Sequence, residues 1–343
     1  MADLKLEAML VSQAENRRYV SGFTGSTGAL LLTATKALFI TDFRYYEQVS
    51  RQCPEFSLVK QTKTFKVAFQ QAARLARAKS IAIESRDVSV GLFQDMQDAL
   101  AGAKVSLMPV SDVVEPLRLI KDEAEIAAIA RAAQITDAAL AAALPSFHAG
   151  MTETQAAWEI EKRMRDMGAQ GVGFELIVAS GPNSALPHAR PSARLLRESE
   201  PIVIDIGARV DGYTADLTRT ICLGKQTAKF RKIYGIVLEA QLAALSAIKA
   251  GMTDKAADAL ARDVIATAGY GPKFGHSLGH GVGLAVHEGP RLSPFAAEPK
   301  PLQPGMVVTV EPGIYLPEWG GVRIEDLVVV TESGLRILSA APK

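Results

Sequence analysis

One four-residue string occurs twice: Ala149-Gly150-Met151-Thr152 returns 101 residues later as Ala250-Gly251-Met252-Thr253. Each copy opens a stretch with helical spacing, and the two stretches stop at Gly168 and Gly269, again 101 apart. Thr152 with Gln155 has capping-box spacing, in which two side chains satisfy free N–H groups at a helix start. Glycine is the usual residue just past a helix end. Downstream, Val203-Ile204-Asp205-Ile206-Gly207 is echoed by Thr309-Val310-Glu311-Pro312-Gly313. A duplicated unit predicts pseudo-twofold symmetry, with two carboxylate-bearing hairpins around one centre.

Pro201 to Asp205 reads as a strand, and Asp211-Gly212 carries the two-residue hairpin signal. That loop would set Asp216 opposite Gly207, two places from Asp205, with both carboxylates on one face. Carboxylates that close repel unless a cation lies between them. The plainer reading is a pair of exposed aspartates on a surface hairpin. The segment from Met306 to Val330 repeats the pattern with glutamates. Val307 to Glu311 is one strand, Val322 to Glu325 begins its partner, and a loop at Glu318-Trp319-Gly320 would set Glu325 opposite Gly313. A carboxylate inside so apolar a strand is costly to bury without a partner. A salt bridge from Glu311 to Arg323 is the structural alternative.

Three of the five histidines fall between Gly275 and Glu288. His276 and His280 are four apart, as in helical zinc motifs, but Gly275, Gly279, Gly281 and Gly283 argue against a helix. Glycine-rich extended backbone instead approaches a metal or substrate closely. His287 belongs to the same stretch, and His188 follows Pro187 in a loop-like segment. His148 reads as structural or solvent-exposed.

The rest of the chain sets the context. At 343 residues, two domains are expected. Ala29–Thr33 and Ala37–Thr41 read as neighbouring strands, Phe65–Lys79 and Val90–Leu100 as helices, and Ser80–Ile83 as a strand between them, an α/β pattern. Pro109 and Pro116 mark a linker, and Lys121–Leu144 an alanine-rich helix. The boundary is placed near residue 116, giving domains 1–116 and 117–343. A net charge of +1 gives no reason to expect nucleic acid or an anionic membrane as partner. Cys53 and Cys222 are too few for a disulfide framework, and a reducing cytoplasm fits. Met1 to Arg18 has no apolar targeting core, and the longest apolar runs, such as Gly28 to Leu32 and Leu327 to Val330, look strand-length and far short of a spanning helix.

These segments resemble the creatinase, prolidase and methionine aminopeptidase superfamily, the pita-bread fold, and within it the Xaa-Pro peptidases, prolidase and aminopeptidase P. The carriers are Asp205-Ile206-Gly207 with Tyr213 to Thr220, His276 to Gly283 with Val286-His287-Glu288, Glu311 to Tyr315, and Val322 to Asp326. Gly22 to Ser26 and Thr41 to Tyr45 are similar to the small N-terminal domain of shorter bacterial and archaeal members. The resemblance implies an α/β (α+β) chain, with a small N-terminal α/β domain and a C-terminal pita-bread domain.

By the same likeness Asp205 would bind one of two divalent metals, His280 and Glu311 the other, with Asp216 and Glu325 bridging. Four carboxylates to one imidazole suit manganese and accept cobalt, iron(II) or zinc. A hydroxide held between two ions would attack the bond, Glu311 would shuttle the proton, and His287 and His188 would bind the carbonyl and oxyanion. His276, Tyr315 and Arg323 would shape or support the pocket for the residue after the bond. The implied reaction is hydrolysis between an N-terminal residue and proline by a cytoplasmic homodimer. A dipeptidase is the leading form, with aminopeptidase P on longer Xaa-Pro-Xaa peptides as its alternative. A methionine aminopeptidase usually lacks so large an N-terminal domain, and metal-free creatinase-like hydrolases have lost the ligands present here. A non-catalytic binding protein on this fold would be expected to show substituted ligands, and none is.

Overall fold

Alternation in Leu38-Phe39-Ile40 sends Leu38 and Ile40 to one face of a sheet and Phe39 to the other, and both faces are buried. The computed structural model describes residues 6–343. Asp3 and Lys5, part of the stretch read for a targeting segment, lie outside them. Cα packing divides the chain into Met1–Leu117 and Arg118–Lys343. In the first unit the sheet runs in the order Ser57–Gln61, Ala37–Asp42, Ala29–Thr33, Ala8–Val11, Ser80–Glu84, Ser106–Val110. The pairing is parallel at both edges and antiparallel in the middle. Phe65–Ala76 and Val90–Ala99 cover one face, with Phe69 and Met96 fully buried. This mixed α/β unit includes strands Ala8–Val11, Ser57–Gln61 and Ser106–Val110, which the sequence reading left unassigned.

The second unit is built twice. Helices Glu123–Ala143 and Glu153–Asp166 pack on a sheet ordered Leu217–Cys222, Pro201–Ile206, Ile177–Ser180. Helices Ala228–Ala247 and Asp254–Thr267 pack on a five-stranded sheet containing Gly279–Gly281, Val307–Val310 and Asp326–Val330. The repeat is visible in the helix starts: Thr152 and Thr253 are both N-caps, their hydroxyls accepting from Gln155 N and Ala256 N. Only the first copy has the full capping box, because Ala256 replaces the glutamine. Gly168 and Gly269 take φ values of 96° and 85° just past the helix ends.

One expectation on apolar length is corrected. Glu123–Ser146 is long and apolar enough to cross a membrane by length and composition. Alanine supplies that hydropathy without long aliphatic side chains, so the eye misses it. Here the helix is a core element: Ile126, Ile129, Ala132, Ala139 and Leu140 are buried, and Asp122 with Glu125 caps its start.

The first hairpin has the expected register. Val210 pairs with Tyr213 and Thr218 with Asp205, which puts Asp216 across from Gly207. Asp211 and Gly212 both take positive φ, 48° and 75°, as a tight hairpin turn requires. The second hairpin differs. Its loop is Pro317 to Trp319, one residue earlier than expected, so Leu316 pairs with Gly320 and Gly313 with Arg323. Glu318 itself takes the left-handed φ of 68°. Gly320 also takes a positive φ, 145°, and allows close approach, since a Cβ there would come within 2.4 Å of Pro201. Val310 pairs with Asp326 on the other side of the break, so Glu311 faces Glu325 directly rather than diagonally. Pro312, which lacks an N–H, interrupts the ladder between them.

Candidate metal centre and active-site cavity

The two strand breaks bring Asp216, Glu311 and Glu325 off regular pairing and into one place. They line a cavity of about 600 Å³ together with Asp205 and His280. Asp205 comes from the strand Pro201–Ile206, and His280 from the glycine-flanked strand Gly279–Gly281. The close packing explains those glycines, since a Cβ at Gly279 would lie 2.0 Å from Thr309 O and one at Gly281 1.8 Å from Gly289 O. One ligand-competent atom each from Asp216, His280 and Glu325 lies within 4.8 Å of the others. His280 Nε2 is 3.3 Å from Glu311 Oε1 and 3.7 Å from Asp216 Oδ2.

Four of these five groups, all but Asp216, are oriented by a neighbour. His280 Nδ1 lies 3.1 Å from Gly281 O, and a carbonyl can only accept, so that nitrogen carries a proton and Nε2 faces the carboxylates. Thr218 Oγ1 donates to Glu325 Oε2 at 2.7 Å, and Thr309 Oγ1 to Glu311 Oε1 at 3.2 Å. Arg323 Nη2 donates to Asp205 Oδ2 at 2.6 Å. The salt bridge weighed for Glu311 therefore goes to Asp205 instead.

The electrostatics are those of a crowded anionic pocket. Burial, then the charges of Glu325 and Asp205, hold Asp216 well above the usual carboxylate range. Burial, then Glu311 and Asp205, does the same to Glu325, and burial raises Asp205 despite Arg323. Burial also opposes ionisation of Glu311, but the hydrogen bond and charge of His280 bring it down to about 2. Burial would lower His280, and its bond to Glu311 raises it instead. One carboxylate and one imidazole thus hold a proton between them while the other carboxyls are penalised.

A divalent cation answers this arrangement. Asp205 Oδ1 is buried without a hydrogen-bond partner, which is costly unless something else occupies it. Four carboxylates and one Nε2 are a hard, oxygen-rich donor set. Cations favour the charged carboxylates and reverse the pKa pressures above. The residues fit the metals that the family likeness implies.

The remaining candidate residues divide into two groups. His188 and His287 are exposed to the same cavity, and the rings of His280 and His287 meet edge to face at 4.3 Å. Burial, then the charge of His280, keeps the pKa of His287 low, so it is neutral near pH 7. His276 and Arg323 also line the cavity, but Tyr315 stands behind them. Its hydroxyl lies 2.8 Å from His276 Nε2 and accepts from Arg323 Nη1 at 3.0 Å. His276 Nδ1 meets Ser277 O at 2.8 Å, so both ring nitrogens are engaged within the protein. His148 is exposed and lies away from this lining.

Sequence reasoning missed several lining residues: Phe174, Ile177 and Val286 on an apolar side, Arg190 and Arg291 as cations. Nothing local marks Arg291 among 38 basic residues; only the pairing of Arg291 with His280 places it here. It also missed that Glu288 is a half-buried anchor, accepting from Arg118 Nη2 at 2.5 Å and Lys121 Nζ at 2.6 Å.

Comparison with known proteins matches these parts. Residues 127–332 match metallopeptidase family M24, and residues 1–120 match the creatinase/prolidase N-terminal domain. An Xaa-Pro dipeptidase of Pyrococcus horikoshii is 39% identical over 97% of this chain and 93% of its own. The solved Xaa-Pro dipeptidase from Bacillus anthracis is 40% identical with a TM-score of 0.95, covering 100% of this chain and 95% of that one. The solved X-Pro aminopeptidase from Thermotoga maritima is also 40% identical, with a TM-score of 0.89 over 98% and 96% of the two chains.

Proposed function

The chain belongs to metallopeptidase family M24, and from that premise we propose that it cleaves the bond between an N-terminal residue and proline, as an Xaa-Pro dipeptidase. The observation that carries the reading is the convergence of Asp205, Asp216, His280, Glu311 and Glu325 in one cavity with His188 and His287. Asp205, Asp216, Glu325, His280 and Glu311 would hold two divalent ions, manganese by the hardness of the donor set. When bound, the metals supply Lewis acidity and a nucleophile at neutral pH. Homodimerisation and a cytoplasmic location belong to the same proposal and rest on family likeness. Light scattering tests the first.

The protein's own groups do the rest. His287 is neutral and exposed, so it can donate to the carbonyl oxygen as negative charge develops there; His188 is placed on the same cavity to assist. Glu311 is ionised and accepts the proton released in attack. Proline's nitrogen is tertiary in the bond and leaves as a secondary amine, so a proton must be delivered to it, and Glu311 is the candidate donor. His276 has both nitrogens occupied and acts as a wall of the pocket. Arg323 and Tyr315 hold that wall and Asp205 in register.

A dipeptide ends in a carboxylate immediately after the proline ring. Arg190 and Arg291 line the cavity and supply cationic partners for it. Arg190 also pairs with exposed Glu175 at 3.1 Å, which leaves Arg291 as the stronger candidate. Arg291→Ala should raise KM for Xaa-Pro by about tenfold or more, the worth of one charged hydrogen bond. Xaa-Pro amides should be nearly unaffected; equal losses on acid and amide would exclude a carboxylate contact. The aminopeptidase reading stays in play through the Thermotoga maritima likeness. A panel of Xaa-Pro and Xaa-Pro-Xaa peptides, assayed after reconstitution with manganese, cobalt, iron(II) or zinc, decides between the two. Equal rates on both substrate lengths would remove the dipeptidase reading, and no hydrolysis with any metal would leave a binding protein.

His287→Ala separates a substrate role from a metal role. Turnover should fall by about a hundredfold to a thousandfold, as for one oxyanion donor, while metal content by mass spectrometry stays at the parent value. Loss of metal would instead make His287 a ligand.

A further inference from the structure

His188 is exposed to the cavity, and among the described residues its ring makes no hydrogen bond. Its placement therefore depends on the loop that carries it. Both ends of that loop converge on a single buried carboxylate, Glu153, which is 0% exposed. Glu153 Oε1 accepts from Ser180 N at 2.7 Å, Ser180 Oγ at 2.8 Å and Asn183 Nδ2 at 3.2 Å. Oε2 accepts from Ser192 N at 3.1 Å, Ser192 Oγ at 2.6 Å and Asn183 Nδ2 at 3.1 Å. No cation pairs with this carboxylate among the described residues; Arg194 reaches Ser180 Oγ and Glu200 instead. Its charge is balanced by donors from the His188 loop and its flanks.

We propose that Glu153 is the positioning residue for His188, stapling Ser180 to Ser192 and fixing the intervening loop against the cavity. Tying residues 180 and 192 to one group removes the freedom of the chain between them, and charged hydrogen bonds make the tie strong. The repeat supplies an internal control. Asp254 occupies the corresponding helix start, yet among the described residues its carboxylate accepts only from Lys255 N at 2.7 Å and Lys300 N at 3.2 Å. Starting the helix does not require the larger array. The first copy has it where a loop bears His188.

The proposal rests on the peptidase reading for the chemical role of His188, and the test separates the two. Glu153→Gln turns one acceptor into a donor that faces donors. In the full-length, metal-reconstituted protein, hydrogen exchange in residues 181–191 should speed up while the helix Asp254–Thr267 is unchanged. The value of kcat/KM on Xaa-Pro should fall by about tenfold. In a His188→Ala background Glu153→Gln should add no further loss, because a positioning residue acts only through the group it places. Unchanged exchange, or losses that multiply in the double variant, would overturn the proposal. A fully active His188→Ala would end that residue's chemical role, while faster exchange would still uphold the staple. If Glu153→Gln does not fold, Ser192→Ala removes one donor and should shift exchange in the same direction by less.

Discussion

Replacing Glu325 by alanine is expected to abolish hydrolysis and metal retention together. Glu325 is 2% exposed and sits among Asp216, His280 and Glu311. As a bridging ligand it would serve both ions, so its loss should lower kcat/KM by about a thousandfold or more and reduce metal stoichiometry in dialysed protein. The fold should survive. Glu325 N still donates to Thr218 O at 3.0 Å, and its carbonyl still accepts from Arg219. The metal-free variant should melt no lower than the metal-free parent, because the lost carboxyl is one that burial and its neighbours penalise. Glu325→Gln controls for volume. Two metals and full activity in Glu325→Ala would refute the assignment.

The same residue shows how far a sequence can be read. Glu311 and Glu325 were visible as carboxylates in apolar strands, and costly burial singled them out. Their mutual register was not visible, because nothing local shows whether the three-residue loop begins at Pro317 or at Glu318. In the first hairpin Asp211-Gly212 left no such choice, and the register followed. The helix pair at Thr152 and Thr253 was legible because caps and terminal glycines are local signals. Arg291, Glu288 and Glu153 were not, since each matters through partners far away in the chain. Glu153 reads as an ordinary first-turn acid, and only the folded loop reveals six hydrogen bonds to it. Tyr315 was assigned from likeness to shaping or supporting the pocket, and its hydroxyl meets His276 and Arg323 from behind the lining.

Removing the metal should make stability depend on pH in a way that restoring it reverses. Asp216 and Glu325 are raised above their ordinary values in the folded protein, whereas in the unfolded chain they titrate near 4. Above about pH 4 the native state therefore holds more protons than the unfolded one, and stability falls as pH rises toward the native pKa values. His280, also raised, adds stability below about pH 6.5 that is lost on passing its native pKa. Glu311, near 2, works the other way, but its contribution is complete above its unfolded value and changes only in acid. Burial holds His276 and His287 low, which opposes the trend between pH 5 and 7, against the raised Asp205, Asp216, Glu325 and His280. The metal-free protein should thus melt at a higher temperature at pH 5 than at pH 8. A divalent ion needs the ionised carboxylates and the free Nε2 of His280, so its binding releases protons and strengthens with pH. At a hundred times Kd each ion adds about 2.7 kcal/mol, or roughly 5–11 °C for a unit of this size. Manganese should therefore raise the melting temperature strongly at pH 8 and weakly at pH 5, and a chelator should remove both that gain and all hydrolysis. Calorimetry at the two pH values checks it. A melting temperature at pH 8 indifferent to manganese, cobalt and zinc would sink the metal centre, because the crowded carboxylates would then have found their relief elsewhere.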